Sequence, residues 1–143
     1  MMTKISHFSL LVRNQDEAAA FYTEKLGFVV TEGHKAPDNT WYWLTIAPTK
    51  DSTVSLSLLL PQQPEDHAII GKQSGSIPLF VLLTDDCHKT AAEFTAHGVE
   101  FVKQPTNEFW GIDAVIKDLY GNLIDICQPS EDDKQYITNV SST

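Results

Sequence analysis

One pattern of secondary structure occurs twice along this chain of 143 residues, and it restricts the fold more than any other feature. Each copy has a strand, a capped helix that stops at glycine, and three further strands. Asn14 and Asp85 occupy equivalent helix caps, and Gly27 and Gly98 occupy equivalent helix stops. Both pairs are 71 residues apart (85 − 14 and 98 − 27). Internal repetition of this kind predicts two matching β-α-β-β-β modules.

The boundaries of the elements follow from hydrophobic periodicity and from breaker residues. In each copy, alternation predicts the first strand, and a helical stripe of apolar residues follows the cap. In the first copy, Glu17 stands in capping-box position after Asn14. In the second copy, either Asp85 or Asp86 caps the helix. The predicted strands are 5–12, 28–32, 41–47, 54–60, 77–84, 99–102, 110–117 and 123–128, with loops at 33–39 and 104–109.

Neither module alone can bury both faces of its sheet, so the sequence predicts a single α+β domain over residues 1–143. Two βαβββ modules would form a curved, partly open, antiparallel-rich sheet around a cleft, with the helices on the convex side. The predicted parts are module 1 at about 4–61, a proline- and glycine-containing linker at 62–76, module 2 at about 77–129, and a polar tail at 130–143.

The last predicted strand carries a carboxylate within an apolar run. The turn residues Gly121 and Asn122 lead into it, and Asp125 lies between Ile124 and Ile126. Because successive side chains point to opposite faces, Asp125 points away from the isoleucine face and needs a partner or a cleft. The same alternation divides both modules. The predicted helix-facing residues are Phe8, Leu10, Val12, Ile124 and Ile126, and the predicted cleft-facing residues are His7, Ser9, Leu11, Ser55, Ser57, Leu123, Asp125 and Cys127.

The net charge restricts the classes of partner, and the cysteines restrict the kinds of disulfide and metal site. Ten basic and 19 acidic residues give a net charge of −9, which argues against nucleic acid or an anionic membrane as a partner and suits a cationic ligand. No apolar run reaches membrane-spanning length and no signal peptide opens the chain, so we expect a cytoplasmic protein. Cys87 and Cys127 form neither a disulfide framework nor a metal-type pair.

Four segments resemble the vicinal oxygen chelate superfamily, which contains glyoxalases, bleomycin-resistance proteins and extradiol dioxygenases. They are residues 5–12 (ISHFSLLV), 21–28 (FYTEKLGF), 109–111 (FWG) and 118–125 (DLYGNLID). The resemblance covers roughly residues 4–129. It implies the two-module fold already described, and it implies a homodimer. It does not select one function, because this fold supports several chemistries.

The resemblance also implies where a metal would bind. Enzymes of the family take one ligand from the first strand and one from the last strand of each module. His7 is a good ligand and Asp125 an acceptable one. Ser57 is a poor ligand, and the remaining position, Pro78 or Leu79, cannot ligate. Two ligands are too few for Zn²⁺, Ni²⁺, Mn²⁺ or Fe²⁺, so we expect no metal cofactor; a metal, if present, would use His7 and Asp125.

The sequence therefore predicts a protein that binds a small, partly aromatic organic molecule in an aromatic-lined cleft. His7 and Asp125 form a candidate polar pair, which could act as a general base or be a structural hydrogen bond. Alternation leaves open whether Trp43 or Leu44 faces the cleft. The alternative is an enzyme, either a metal-dependent lyase or isomerase like lactoylglutathione lyase or a dioxygenase. The predicted ligand-binding residues are Ser9, Trp41, Trp43, Ser57, Phe109 and Trp110.

Overall fold

The predicted β-α-β-β-β repeat is present in both halves of the chain. The computed structural model describes residues 1–133, and it separates into unit 1, Met1–Gln73, and unit 2, which begins at Ser74. Most of the predicted polar tail, residues 134–143, lies outside the described residues. Among residues 1–133, no helix is long and apolar enough to cross a membrane.

Unit 1 contains four strands, one α-helix and two short helical turns of other types. The α-helix continues into a π-helical turn, and a 3₁₀ turn lies within the predicted linker. The elements are β1 (His7–Leu11), α1 (Gln15–Ala20), the π-helical turn (Phe21–Lys25), β2 (Val29–Lys35), β3 (Trp41–Ala47), β4 (Ser55–Leu59) and the 3₁₀ turn (Pro64–Ala68).

Unit 2 repeats the order with a longer helix. Its elements are β5 (Phe80–Leu83), α2 (Cys87–Ala96), β6 (Glu100–Glu108), β7 (Gly111–Lys117) and β8 (Leu123–Pro129).

Hydrogen bonds group the strands into two sheets, one in each unit, with the same topology. Sheet 1 has the order β1-β4-β3-β2 and sheet 2 has the order β5-β8-β7-β6. In each sheet the first and last strands of the module pair in parallel, and the other neighbours are antiparallel. The predicted α+β class with two βαβββ modules is confirmed.

Helix caps and stops lie close to the predicted positions. The Asn14 side chain accepts from the Glu17 amide at 2.8 Å, which satisfies one of the free donors at the start of α1. The cap of α2 is Asp86, which accepts from the Lys89 amide at 3.0 Å. Because the cap is not Asp85, the two caps are 72 residues apart (86 − 14), one more than predicted.

One face of each sheet packs against the helix of its own unit. The predicted core residues Leu10, Val12, Ile124 and Ile126 are buried. Phe8, predicted for the same core, is 55% exposed. That prediction was wrong because Phe8 lies near the start of β1, which is an edge strand of sheet 1 among the described residues.

Two predicted loops are partly strand. β2 continues to Lys35 through Gly33, and β6 continues to Glu108 through Pro105. Both are edge strands with breaks in register. An edge strand tolerates proline and glycine because its outer N–H groups need no partner in the sheet, so breaker residues do not end the strand there.

Gly111, the first residue of β7, gives a stability prediction. Its φ is 143°, and an added Cβ would lie 2.0 Å from the Gln128 carbonyl oxygen. We expect Gly111→Ala to lower the free energy of unfolding by about 3 kcal/mol or more, because backbone must move. Gly75→Ala is the matched control, since it has φ +68° but no atom within 4 Å, and should cost about 1 kcal/mol. Urea denaturation measures both; equal losses would contradict the steric explanation.

Candidate functional site

The face of sheet 1 opposite α1 is polar and is defined here by His7, Ser9, Thr45, Ser55 and Ser57. Register pairs His7 with Ser55, Ser9 with Ser57, and Thr45 with Ser57. Thr45, Ser55 and Ser57 are buried. Buried hydroxyl groups must be hydrogen-bonded, so this face contains an ordered polar layer.

A chain of hydroxyl groups crosses this polar face. Thr31 Oγ1 lies 2.6 Å from Thr45 Oγ1 and 3.1 Å from Ser55 Oγ. Thr31 reaches the face because of a β-bulge, in which the register passes from Val30 directly to Glu32. A three-hydroxyl chain with two internal bonds keeps one further donor hydrogen, which is available to another acceptor.

His7 has three polar or aromatic neighbours within unit 1. Its Nδ1 lies 2.9 Å from Ser6 Oγ, its Nε2 lies 3.7 Å from Glu32 Oε1, and its ring meets the Trp43 ring edge-on at 5.0 Å between centroids. Glu32 also lies 3.8 Å from His34 Nε2. The acidic neighbour of His7 in unit 1 is therefore Glu32.

The structure resolves which side of β3 faces His7. Trp43 lies on the polar face, whereas Leu44 is buried on the α1 side. Trp41, predicted for the same role as Trp43, donates its indole N–H to Asp16 of α1 at 2.7 Å. Thus two neighbouring tryptophans contact different parts of unit 1, and a ligand-binding role for Trp41 stays a prediction.

The face of sheet 2 opposite α2 is more strongly charged. It is defined here by Lys103, Asp113, Asp125 and Cys127. Register pairs Asp113 with Cys127, and it pairs Val115, two residues along the same face, with Asp125. Two carboxyl groups therefore lie diagonally across neighbouring strands, a separation that side chains can span.

Asp113 is the centre of a small network. Its side chain is 5% exposed and lies 3.6 Å from Lys103 Nζ. Trp110 donates its indole N–H to Asp113 at 3.2 Å. Lys103 also donates to Glu108 at 3.0 Å, and this bond is the main cause that raises the pKa of Lys103. These contacts place a cation and an indole donor beside the buried Asp113 side chain.

Asp125 has the opposite environment. Burial raises its pKa to about 7, and a hydrogen bond to Asp113 and repulsion from that carboxylate add to the effect, while Lys103 opposes it. Oδ1 of Asp125 is buried and accepts no hydrogen bond within residues 1–133. Near neutral pH, Asp125 can therefore hold or release a proton.

The two thiols are poor nucleophiles. Burial raises the pKa of Cys87 to about 11, and burial together with Asp113 and Asp125 raises the pKa of Cys127. Both cysteines are free. Because the thiolate is the reactive form, neither residue fits a role in covalent chemistry at neutral pH.

The remaining predicted residues are distributed over both units. Ser9 is exposed on β1, and Ser57 donates to the Phe8 carbonyl at 3.2 Å. Phe109 is 91% exposed, and its ring meets Trp110 edge-on at 4.8 Å. His7 belongs to unit 1 and Asp125 to unit 2, and their predicted proximity stays a prediction.

Sequence reasoning missed three charged residues of the site. Asp113 carried a detectable signal in the sequence, because two-residue alternation puts it on the same face as Val115 and Lys117 in the predicted strand 110–117. Glu32 and Lys103 carried no such signal. A break in strand register lies next to each of them and decides which face of the sheet its side chain reaches.

The register also tests the family's metal positions. Ser57 of β4 pairs with Ser9 of β1, and Asp125 of β8 pairs with Val81 of β5. Two residues before these partners are His7 and Leu79, so Leu79 is the equivalent of His7. Leucine has no donor atom, and within residues 1–133 no group of three His, Cys, Asp or Glu residues could hold a metal. This donor set does not fit the metal site of the family's enzymes.

A profile of the Glyoxalase/Bleomycin resistance protein/Dioxygenase superfamily matches residues 4–126, and the chain belongs to this superfamily. It is 36% identical over 137 residues to an uncharacterized protein of Shewanella frigidimarina, spanning 96% of this chain and 100% of that protein.

Two solved structures of similar sequence share the fold. UcmS2 superposes with a TM-score of 0.76 at 32% identity, covering 89% of this chain and 98% of that one. TnmS3, an antibiotic binding protein from Streptomyces sp. CB03234, superposes with a TM-score of 0.71 at 31% identity, covering 90% of this chain and 98% of that one.

The raised pKa of Asp125 predicts a specific pH dependence. The unfolded side chain ionises near pH 3.9 and the folded one at about 7, so the unfolded state binds fewer protons between them and stability falls as pH rises through this window. Asp125→Asn should remove that loss. The full pKa difference corresponds to about 4 kcal/mol, and solvent screening of this half-buried group reduces the expected gain to about 1–2 kcal/mol at pH 8.

Urea denaturation at pH 4 and pH 8 measures this effect, with the gain expected only at pH 8. Asp51→Asn is the control, because Asp51 is exposed, and its effect should stay within about 0.5 kcal/mol at both values of pH. A pH-independent effect of Asp125→Asn would show that folding does not shift the pKa of Asp125.

Proposed function

We propose that this protein binds a small, partly aromatic organic molecule, as an antibiotic-binding member of its superfamily does, and that it does so without a metal. The polar face of each sheet is a candidate contact surface for the ligand. The observation that carries the proposal is the cluster on sheet 2, in which Trp110 donates to Asp113 and Asp125 keeps an oxygen buried and unpartnered within residues 1–133.

Each face offers groups that suit a small, partly aromatic ligand. Trp43 beside His7, and Trp110 beside Phe109, offer aromatic surface. The buried oxygen of Asp125 that lacks a partner within residues 1–133 favours a hydrogen-bond donor, and a protonated amine there would lower the pKa of Asp125 by stabilising its charged form.

Similarity to TnmS3 supports the same conclusion. That protein is described as antibiotic binding, and it matches this chain over nearly its whole length. Ser57 is a poor ligand and Leu79 has no donor atom, which supports binding without metal, since the family's metal site needs ligands at both positions.

Fluorescence titration with a panel of aromatic antibiotics that includes bleomycin tests the proposal, because two of the three tryptophans lie on the proposed faces. We expect saturable quenching by at least one compound. Trp43→Phe, Trp110→Phe or both should weaken its binding about three- to tenfold, as loss of the indole removes stacking area and, at Trp110, the donor to Asp113.

Trp41→Phe is the matched comparison, because its indole is bonded to Asp16 of α1. We expect a smaller loss of binding affinity in Trp41→Phe than in Trp43→Phe. An equal loss of affinity would extend the site to the α1 side. No saturable quenching by any compound, or unchanged affinity in both Trp43→Phe and Trp110→Phe, would contradict the proposal.

Elemental analysis of the purified protein tests the metal-free part separately. We expect far less than one equivalent of Zn, Ni, Mn or Fe per chain. About one equivalent would contradict the metal-free part and favour the alternative, a lyase or isomerase like lactoylglutathione lyase or a dioxygenase.

A second candidate function rests on the pKa of Asp125. A carboxyl group that titrates near pH 7 is matched to general acid–base catalysis, so a metal-free isomerase or lyase is chemically feasible. Formation of lactoylglutathione by metal-depleted protein, lost in Asp125→Asn, would support this function over simple binding.

We also propose that the active form is a cytoplasmic homodimer. The edge strand β5 exposes Val81 at 54% and Leu83 at 59%, and exposed apolar side chains on an open edge favour a partner. Light scattering at micromolar concentration should give twice the chain mass of 16.0 kDa; a mass near 16.0 kDa alone would contradict the dimer.

A further inference from the structure

The open edge of β1 is occupied by a side chain. Among the residues that the structure describes, β1 is an edge strand that pairs only with β4. Val12 donates to the Leu59 carbonyl and Ser6 accepts from the Ser55 amide, so the even-numbered residues direct their backbone groups toward β4. Since backbone direction alternates along a strand, the N–H and C=O groups of Ser9 and Leu11 point to the open side.

Gln73, the last residue of unit 1, bonds both of these residues. Its Oε1 accepts from the Leu11 amide at 2.6 Å, and its Nε2 donates to the Ser9 carbonyl at 3.0 Å. The opposite amide orientation would place like groups against each other at both contacts, so the two bonds fix the orientation of the side-chain amide.

This pair of bonds reproduces a strand contact. In a parallel ladder, one residue of the neighbouring strand donates its N–H to the C=O of one residue and accepts, with its own C=O, from the N–H two residues later. Gln73 supplies both groups from one side-chain amide, at Ser9 and Leu11. The side chain therefore stands in for a neighbouring strand at this point of β1.

The edge that Gln73 covers is otherwise prone to association. Ile5 and Phe8 next to it are 62% and 55% exposed, and an edge strand with apolar side chains and free backbone groups is a template for another chain. The contact occurs in the segment that joins the two units, where a local sequence change could remove it without altering a strand.

We propose that Gln73 is an edge cap, a built-in blocking contact that keeps β1 from pairing with a strand of a second copy of the chain. The cap leaves the side chains of His7, Ser9 and Leu11 on their own face and closes only the backbone edge. This role is independent of ligand binding.

Hydrogen exchange measured by NMR tests the contact. In Gln73→Ala, the Leu11 amide should exchange at least about tenfold faster than in wild type, because its bond is lost. The Val12 amide, bonded to Leu59 within the sheet, should be unchanged. Equal acceleration of both amides, or a Leu11 rate within twofold of wild type, would overturn the proposal.

Light scattering over a range of concentrations tests the consequence. The molecular mass of Gln73→Ala should rise above the wild-type value as concentration increases. Gln73→Lys lacks the acceptor but adds a charge to the edge, so its Leu11 amide should exchange fast without an increase in mass. Gln62→Ala is the matched control, since Gln62 Nε2 bonds only the nearby Leu60 carbonyl, and it should match wild type in both measurements. Absence of concentration-dependent mass gain in Gln73→Ala would also overturn the proposal.

Discussion

The two-residue alternation of β-strands is the constraint on which the rest of this protein depends. In sheet 2, Ile124 and Ile126 pack against the helix side while Asp125 points to the other face. A shift of one residue in β8 would bury the carboxylate under α2 and expose both isoleucines, at a cost of several kcal/mol from apolar exposure and charge burial. The core and the candidate site are therefore specified by the same sequence pattern, one on each face.

The fold was largely predictable because its signals are local. The cap at Asn14 and the strand Trp41–Ala47 lie where the sequence predicts them. The π-helical turn and the continuation of β6 through Pro105 were not predictable. Proline signals a loop in a central strand but not in an edge strand, and the position of a strand within a sheet is a property of the whole unit.

The candidate site was predictable in part. Alternation correctly places Asp125 away from the core, yet its strongest influences, burial and Asp113, depend on how β7 and β8 are aligned. Likewise, Glu32 lies near His7 only because of a break in strand register. The sequence pattern can identify which face of a sheet a side chain occupies. The residues next to that side chain depend on strand register, and the pKa of the side chain depends in turn on those residues.

The β-bulge at Thr31 has a consequence for how this protein can vary. One extra residue lets two successive side chains serve the same face, with Thr31 bonded to Thr45 and Glu32 next to His7. Deleting that residue would restore strict alternation and withdraw one of the two groups. Single-residue insertions and deletions at this position would therefore change the composition of the polar face in one step, while every residue of the helix-packed core stays in place.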